Sequence, residues 1–257
     1  MIRLIASDID GTLLPYGEQV IPPELFDEVF RLQKKGILFC PASGRQYTSL
    51  RGLFAPVADT VPFLCENGAV VFGPGSPGPI LGKTVMERAQ ALALCQEICA
   101  LPELEVLICG ADTSYLCPKG DTIAALVRDF VGNNTVLLPA PEDMPEDIVK
   151  VSAFCPQKNP EAVLAELGPR WGQVFHAAVA GEVWLDFTLA DKGVGLTQLC
   201  AALGIGLDEV MAFGDNFNDV AMLERVGYPY LMENAAPALK ERFPVRCERV
   251  VDVLRTL

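Results

Sequence analysis

The fold of this chain can be read outward from its N-terminal stretch, residues 2–12, which reads IRLIASDIDGT. Its first half is apolar with branched side chains, which predicts a buried strand over residues 2–7. Two carboxylates, Asp8 and Asp10, follow where that strand should end, and positions i and i+2 of an extended chain point the same way. Gly11 then allows the backbone to turn sharply. The pattern predicts an acidic pair at the edge of a sheet, and an ordinary Asp-rich turn is the simpler alternative.

Strands and helices alternate on both sides of the middle of the chain. A helix opens at Pro22 and Pro23, and another, over residues 194–203, ends at Gly204. The further predicted strands are residues 37–40, 62–65, 69–72, 209–213 and 228–232. Such alternation implies a parallel sheet that helices cover on both faces. We therefore predict an α/β fold with a Rossmann-like, doubly wound parallel-sheet core.

The middle of the chain has a different rhythm, with strands in adjacent pairs. The predicted elements there are helix 86–100, strands 106–109 and 114–117, helix 122–131, strand 149–154, helix 160–167 and two strands around Gly181. Pairs of neighbouring strands are typical of antiparallel α+β units. We expect an α+β domain at 83–187 inserted into a core formed by 1–82 and 188–257.

Composition limits the classes of function. The 257 residues include 33 Asp and Glu against 20 Lys and Arg, for a net charge of −13, and 51% are hydrophobic, as in globular proteins. The acidic balance argues against binding to duplex nucleic acid. No apolar run reaches the roughly 18 residues that span a bilayer, and the short apolar start argues against a secretory signal. Nine cysteines without a C-x-x-C pair favour reduced thiols, so we expect a cytoplasmic protein.

Two other patterns carry no chemistry. Residues 73–78 match the dinucleotide pattern G-x-G-x-x-G, but residues 79–81 open no convincing helix, and Pro74 and Pro77 remove N–H donors. We predict a hairpin turn there instead. His176 is the only histidine, so sites that need two histidines are excluded, and we interpret it as a packed or solvated residue of a strand.

Polar residues follow two further predicted strands at the point where each should end. Ser43-Gly44-Arg45 comes shortly after strand 37–40, and residues 214–219, GDNFND, follow strand 209–213. In an open parallel sheet, the carboxyl ends of the strands share one crevice, which is the usual ligand site. The acidic pair after strand 2–7 should lie in the same crevice, so these three sets together predict one functional site.

The residue types indicate how that site works. Asp8, Asp10 and Asp215 offer hard oxygen ligands suited to Mg²⁺. The Ser43 hydroxyl and the backbone N–H groups after it can hold anionic oxygens, and Lys192, at a predicted helix start, supplies a point charge.

Each of these assignments has a plainer alternative. Lys192 taken alone is an ordinary surface lysine, and Asn218 and Asp219 also suit the cap of a helix. The combination of carboxylates, a cation site, a hydroxyl and a lysine favours phosphoryl transfer to an aspartate.

In this order, the motifs resemble those of the haloacid dehalogenase-like hydrolases. These motifs are Asp-x-Asp-Gly-Thr, Ser-Gly-Arg, Lys and Gly-Asp-x-x-Asn-Asp. With Glu66-Asn67-Gly68 and an inserted cap domain, the chain is most similar to the Cof-type sugar-phosphate phosphatases. The resemblance implies a Mg²⁺-dependent phosphoric monoester hydrolase that acts on small phosphorylated metabolites, with sugar phosphates expected, through an aspartyl-phosphate. It implies neither a nucleic acid nor a membrane as partner, and the oligomeric state is not defined.

The resemblance also implies a role for each site residue. Asp8 is the nucleophile and Asp10 the general acid/base. Mg²⁺ is bound by Asp8, the Asp10 backbone carbonyl and Asp215. Ser43, Gly44, Lys192 and Asn218 hold the phosphate, and Asp219, Thr12 and Arg45 support the site. The stretch Met232-Glu233-Asn234-Ala235 departs from the family in having Glu where Gly is frequent.

Three other functions remain open from the sequence. A phosphomutase, similar to phosphomannomutase, would share this fold and cap class. A receiver domain also phosphorylates an Asp, but it is about half this length and has no inserted domain. A non-catalytic regulator that binds phosphometabolites should have lost Asp8 or Asp10, and both are present.

Overall fold

The computed structural model describes residues 1–15, 18, 20–120, 122–180 and 182–257. It divides into two compact units, a core unit of Met1–Lys83 with Asp191–Leu257 and an inserted unit of Thr84–Ala190. Gly181, which the sequence predicts between two strands, lies outside the described residues. In the described ranges, no helix combines the length and the apolar character that crossing a membrane requires.

The regular elements alternate along the chain. The strands are β1 Leu4–Ser7, β2 Leu38–Pro41, β3 Phe63–Cys65, β4 Val70–Phe72, β5 Ile80–Lys83, β6 Glu105–Cys109, β7 Ser114–Leu116, β8 Thr135–Leu137, β9 Lys150–Phe154, β10 His176–Ala180, β11 Trp184–Thr188, β12 Val210–Gly214, β13 Tyr228–Met232 and β14 Arg246–Cys247. The helices are α1 Pro23–Gln33, α2 Tyr47–Leu53, α3 Arg88–Ala100, α4 Thr122–Ala125 (continued by a π turn, Leu126–Phe130), α5 Pro160–Trp171, α6 Lys192–Leu203, α7 Val220–Leu223, α8 Pro237–Arg242 and α9 Val250–Leu254. Single 3₁₀ turns lie at Glu66–Gly68, Pro141–Asp143, Leu207–Glu209 and Phe217–Asp219.

A five-stranded parallel sheet forms the centre of the core unit, in the order β14-β13-β12-β1-β2. Side chains alternate between its two faces. Leu4 and Ala6 of β1 pack in a cluster with Leu196 and Leu199 of α6. Phe39 of β2, on the other face, lies 6.4 Å from the Phe54 ring at the end of α2. The predicted α/β core with helices on both faces is therefore confirmed.

Strands β3 and β4 differ from the expectation that all core strands join the parallel sheet. They form a separate antiparallel sheet, β3-β4-β5, linked to the main sheet by an isolated bridge between Ala42 and Leu64. The reason is the length of the connection between them, because Glu66–Gly68 is a single turn. A parallel pair needs a crossover of about a dozen residues, whereas a short turn permits antiparallel pairing alone.

The turn between β4 and β5 confirms the hairpin prediction for residues 73–78. The two strands pair antiparallel, with Val70 opposite Lys83. Gly73 N–H donates a hydrogen bond to the Pro79 carbonyl at 2.8 Å, which closes the loop.

The inserted unit has a six-stranded sheet in the order β10-β11-β9-β6-β7-β8. Its strand pairs are antiparallel except for β7 and β8, which are parallel and connected through α4 and the π turn. Helices α3 and α5 contribute Leu94, Ile98, Val163 and Leu167 to the buried cluster of this unit. This architecture is the α+β type that the sequence predicts for the middle of the chain.

Candidate active site

The carboxyl ends of β1, β2 and β12 bring the predicted motifs together in the core unit. Because β1 pairs in parallel with both neighbours, Ser7 lies opposite Phe213 on one side and Pro41 on the other. Asp8 N–H then donates to the Phe213 carbonyl at 3.0 Å, which extends the pairing by one residue. The chain leaves the sheet directly after Asp8, so its carboxylate stands at the sheet edge, beside the loop that carries Asp215.

Lys192 is the centre of the site. Its Nζ lies 2.5 Å from Asp8 Oδ1 and 2.6 Å from Asp219 Oδ1, and its side chain is fully buried. It is the first residue of α6, which Asp191 caps by accepting a hydrogen bond from Val194 N–H at 2.7 Å. The sequence placed Lys192 at a helix start, and the fold turns that helix start toward the end of β1. The surface-lysine interpretation of Lys192 is wrong.

Burial and the neighbouring charges shift the pKa values of Asp8 and Lys192. Burial raises the pKa of Asp8 to about 7, Asp219 adds to the rise, and Lys192 opposes it. For Lys192, burial alone would lower the pKa, but Asp219 and Asp8 raise it above its ordinary value. Lys192 is therefore held as a cation in a site shielded from water.

Asp219 acts mainly through the groups that it binds. Its Oδ1 accepts from Lys192, and its Oδ2 accepts from the backbone N–H groups of Asp215 and Asn216 at 3.0 and 3.1 Å. A Cβ on Gly214 would lie 2.4 Å from the Asp219 Cβ, so the loop needs glycine at that position. Asp219 thus fixes both the loop after β12 and the ammonium of Lys192.

Among the described residues, the carboxylates placed to share a metal ion are those of Asp8, Asp215 and Asp219, whose oxygens lie within 4.8 Å of one another. Thr12 Oγ1 donates to Asp215 Oδ1 at 3.2 Å. Three carboxylates against one ammonium leave a buried excess of two negative charges when all are ionised. A divalent cation with a preference for oxygen would offset that excess, so the donor set fits Mg²⁺.

The side chain of Asp10 lies outside that acidic cluster. Arg45 binds its carboxylate with two hydrogen bonds, from Nη2 to Oδ1 at 2.6 Å and from Nε to Oδ2 at 3.1 Å. The following Gly11 has a φ of 94°, and its carbonyl accepts from Asn234 Nδ2 at 2.8 Å. The Asp10 carboxylate is half-buried, and Arg45 holds it in one orientation.

The remaining predicted residues lie on two loops of the core unit. Ser43 is buried, and its Oγ accepts from Arg45 N–H at 3.2 Å. Gly44 follows it, and Asn218 is exposed on the single turn after β12. Asn218 Nδ2 donates to Asn67 Oδ1 at 3.5 Å. The structure therefore brings all the predicted site residues into one unit.

Two asparagines contact the loops of the candidate site, although no role was assigned to them from the sequence. Asn67 contacts Asn218, and Asn234 holds the turn after Asp10. Both follow the ends of strands, β3 and β13, as the recognised motifs do. That rule of position was the signal that could have identified them.

Comparisons with known proteins agree with this geometry. The sequence model of the haloacid dehalogenase-like hydrolase family matches residues 5–249. The chain is 27% identical over 260 residues to the 5-amino-6-(5-phospho-D-ribitylamino)uracil phosphatase YbjI of Escherichia coli, covering 98% of this chain and 95% of YbjI. It is 26% identical over 261 residues to the pyridoxal phosphate phosphatase YbhA of the same organism, covering 93% and 91%.

A solved structure shows the same fold over the full length. This protein from Eubacterium rectale is 31% identical, has a TM-score of 0.87 and aligns with 99% of this chain and 98% of its own. The chain belongs to the haloacid dehalogenase-like hydrolase family. It is an enzyme of that family, and the curated relatives named above are phosphatases.

Proposed function

We propose that this enzyme is a Mg²⁺-dependent phosphatase that hydrolyses small phosphorylated metabolites through an aspartyl-phosphate on Asp8. The observation that carries the proposal is the buried Lys192 ammonium bonded to both Asp8 and Asp219, with Asp215 in the same acidic cluster. Phosphoryl transfer to aspartate requires a nucleophilic carboxylate, a fixed positive charge such as an ammonium group, and a site for a metal ion.

In the first step, an Asp8 carboxylate oxygen attacks phosphorus, and the bond between phosphorus and the ester oxygen breaks. Asp10 donates a proton to the departing alkoxide, which leaves as an alcohol. Arg45 holds the Asp10 carboxylate in one orientation through two hydrogen bonds. Asp8, the Asp10 backbone carbonyl and Asp215 would hold Mg²⁺, which would offset the negative charge of the phosphate and the carboxylates.

In the second step, water attacks phosphorus of the phospho-aspartate and the P–O bond to Asp8 breaks. Asp10, now ionised, takes a proton from that water, so inorganic phosphate leaves and Asp10 is protonated again. Throughout, the Ser43 hydroxyl, the Gly44 backbone, Lys192 and the Asn218 amide bind the phosphate oxygens. The fixed ammonium of Lys192 attracts the dianion and needs no reorganisation during the reaction.

The printed names of the relatives support the proposed substrate class. The named relatives act on a phosphorylated ribityl compound and on pyridoxal phosphate, both small phosphorylated metabolites. Sugar phosphates are the class expected from the motifs, and phosphorylated heterocycles are the class suggested by those names. A panel of purified compounds from both classes, assayed for released inorganic phosphate, decides between them. We propose that the inserted unit is a cap whose side chains select among these compounds.

Two variants test the proposed roles of the aspartates. Asp8→Asn should form no phosphorylated enzyme, because the nucleophile is gone. Asp10→Ala should be slower by roughly 10²–10⁴ yet still accept phosphate from p-nitrophenyl phosphate, whose leaving group needs little protonation. An adduct on Asp8 should then accumulate and be visible by intact mass after rapid acid quench.

The control is Asp129→Asn, which removes an exposed carboxylate of the inserted unit and should hydrolyse normally. If both site variants fail alike and neither traps an adduct, the nucleophile and acid/base roles are wrong. Alcohol and inorganic phosphate as products identify a phosphatase, whereas an isomeric phosphate ester identifies a mutase. Binding of phosphometabolites without turnover identifies a regulator.

A further inference from the structure

The single turn Glu66-Asn67-Gly68, which joins β3 to β4, has an uncommon backbone. Its three residues all have positive φ angles, 52° at Glu66, 54° at Asn67 and 93° at Gly68. In that left-handed region the Cβ crowds the following carbonyl oxygen, and asparagine tolerates it better than most residues. Glycine adopts such angles freely, but two successive non-glycine residues, Glu66 and Asn67, persist there only where the surroundings hold them, and such backbone is frequent at functional sites.

Contacts on two sides hold this turn between elements that carry the site. Asn67 N–H donates to the Ser43 carbonyl at 2.9 Å, which ties the turn to the loop after β2. On the other side, a Cβ on Gly68 would lie 2.2 Å from the Asp191 carbonyl oxygen, directly before the first residue of α6, Lys192. The turn is therefore packed between the loop after β2, which carries Ser43, and the N-terminus of α6.

The Asn67 side chain joins two loops. Its Oδ1 accepts from Asn218 Nδ2 at 3.5 Å. A Cβ built on Gly44 would lie 3.0 Å from Asn67 Nδ2 and 3.3 Å from its Oδ1. The carboxamide thus fills the space that a side chain at position 44 would take and connects it to the loop after β12.

We infer that Asn67 is a positioning residue for phosphate binding, whose carboxamide sets the separation between the Gly44 backbone and the Asn218 amide. The inference rests on the proposed function, in which those two groups bind phosphate oxygens. Asn218 is exposed and lies on a single turn, so without a partner its side chain would sample several rotamers. Holding it in one orientation before the substrate arrives removes that ordering cost from binding.

Asn67→Gly removes the carboxamide but leaves the backbone conformation unstrained, because glycine accepts the positive φ. The variant therefore measures the effect of the side chain alone. We expect its KM for p-nitrophenyl phosphate and its inhibition constant for inorganic phosphate to rise together, roughly 3- to 10-fold, the worth of one hydrogen bond. We expect kcat to change less than KM and the melting temperature to stay near that of the wild type. A purely structural role would lower the melting temperature and the active fraction while KM stays constant, and that result would overturn the inference.

Gly44→Ala provides a second, independent test. The new methyl group would push the Asn67 carboxamide by a few tenths of an ångström, so phosphate binding should weaken in the wild-type background. In the Asn67→Gly background the carboxamide is absent, so Gly44→Ala should weaken phosphate binding by a smaller factor. An equal penalty in both backgrounds would show that the methyl group acts on phosphate directly and that Asn67 is not the link.

The two proposals fail in different ways. Turnover by the wild type tests the proposed function alone, and the ratio of variant to wild type tests the inference. If the wild type binds inorganic phosphate without turnover, the proposed function is wrong, and the comparison of phosphate binding still decides the role of Asn67. If the wild type shows neither turnover nor phosphate binding, both proposals are wrong.

Discussion

Lys192 and Asp219 form an ion pair that is closed to solvent, with 2.6 Å between Nζ and Oδ1 and both side chains 0% exposed. The two residues lie 27 positions apart, on the first residue of α6 and on the turn after β12. Ions are costly to bury, and the cost is repaid only when geometry and further hydrogen bonds are good. Asp8 and two backbone N–H groups supply those bonds here. The stability of the fold therefore depends on residues of the candidate site.

Removing one partner of this pair should be strongly destabilising. Lys192→Met leaves two buried carboxylates without their cation, and we expect a loss of about 3–5 kcal/mol in the free energy of unfolding by urea titration. The matched control is Lys158→Met, because Lys158 lies at the same 2.6 Å from Glu166 but at the surface. That control should unfold close to the wild type. Equal losses for both variants would show that burial is not what makes the Lys192 pair important.

Arg45 should matter for catalysis through Asp10. Arg45→Lys replaces a two-bond contact by a single point charge, so the Asp10 carboxylate should lose its fixed direction. We expect kcat for an alkyl phosphate to fall by roughly 10- to 100-fold, a part of the acid–base contribution. Hydrolysis of p-nitrophenyl phosphate, whose leaving group needs little help from an acid, should fall much less at its first step. A uniform loss on both substrates would assign Arg45 to phosphate binding instead.

Metal removal should abolish turnover. A phosphate dianion approaching Asp8 meets a repulsion of about 4 kcal/mol per charge pair at 4 Å and an effective dielectric of 20. We expect EDTA to stop hydrolysis of p-nitrophenyl phosphate and Mg²⁺ to restore it. Mg²⁺ should also raise the melting temperature of the wild type but not of Asp215→Asn, with Asp252→Asn as the control for loss of a surface carboxylate. Full activity in a thoroughly demetallated sample would contradict the metal site.

Stability of the metal-free protein should depend on Asp8. Burial raises its pKa from 3.8 to about 7, so between those pH values the folded protein holds a proton that the unfolded chain has released. This contribution to stability is present in full below the lower value and is lost as the pH rises through about 7. In EDTA at pH 8, Asp8→Asn should therefore melt a few degrees above the wild type, and the gap should narrow toward pH 5.

Asp129→Asn is the matched control for that measurement, because Arg128 lowers the pKa of Asp129 and neutralisation brings no gain. An Asp8→Asn variant that melts below the wild type at pH 8 would mean that attraction to Lys192 outweighs the cost of burying the carboxylate.

Two glycines with positive φ separate backbone strain from steric overlap. Gly36→Ala, at a φ of 76° with nothing within 4 Å of the new Cβ, should cost about 1–2 kcal/mol for the left-handed conformation alone. Gly68→Ala meets the Asp191 carbonyl as well, and we expect about 2–5 kcal/mol together with loss of phosphate binding as α6 shifts. Urea titration and phosphate inhibition measure the two effects. Similar costs at both positions would show that the contact of Gly68 with Asp191 is unimportant.

The sequence by itself predicted the fold class and most residues of the candidate site, though not Asn67 and Asn234. Asp8, Ser43 and Asp215 each stand just beyond an apolar run, and the carboxyl ends of parallel strands meet at one edge, so position along the chain predicts proximity in space. The change of rhythm in the middle likewise predicted an α+β unit, because paired strands and strands separated by helices need different connections.

Only the tertiary structure decided how those members are paired. Lys192 reaches Asp8 across 184 positions and Asn234 reaches the Gly11 carbonyl across 223, and no local pattern encodes such partners. They depend on the strand order, which places β12 and α6 beside β1, and on close approaches that only glycine permits. Local preference acts over a few residues, whereas burial acts on the whole chain. Burial therefore decided that a lysine at a helix start becomes the buried cation of the site.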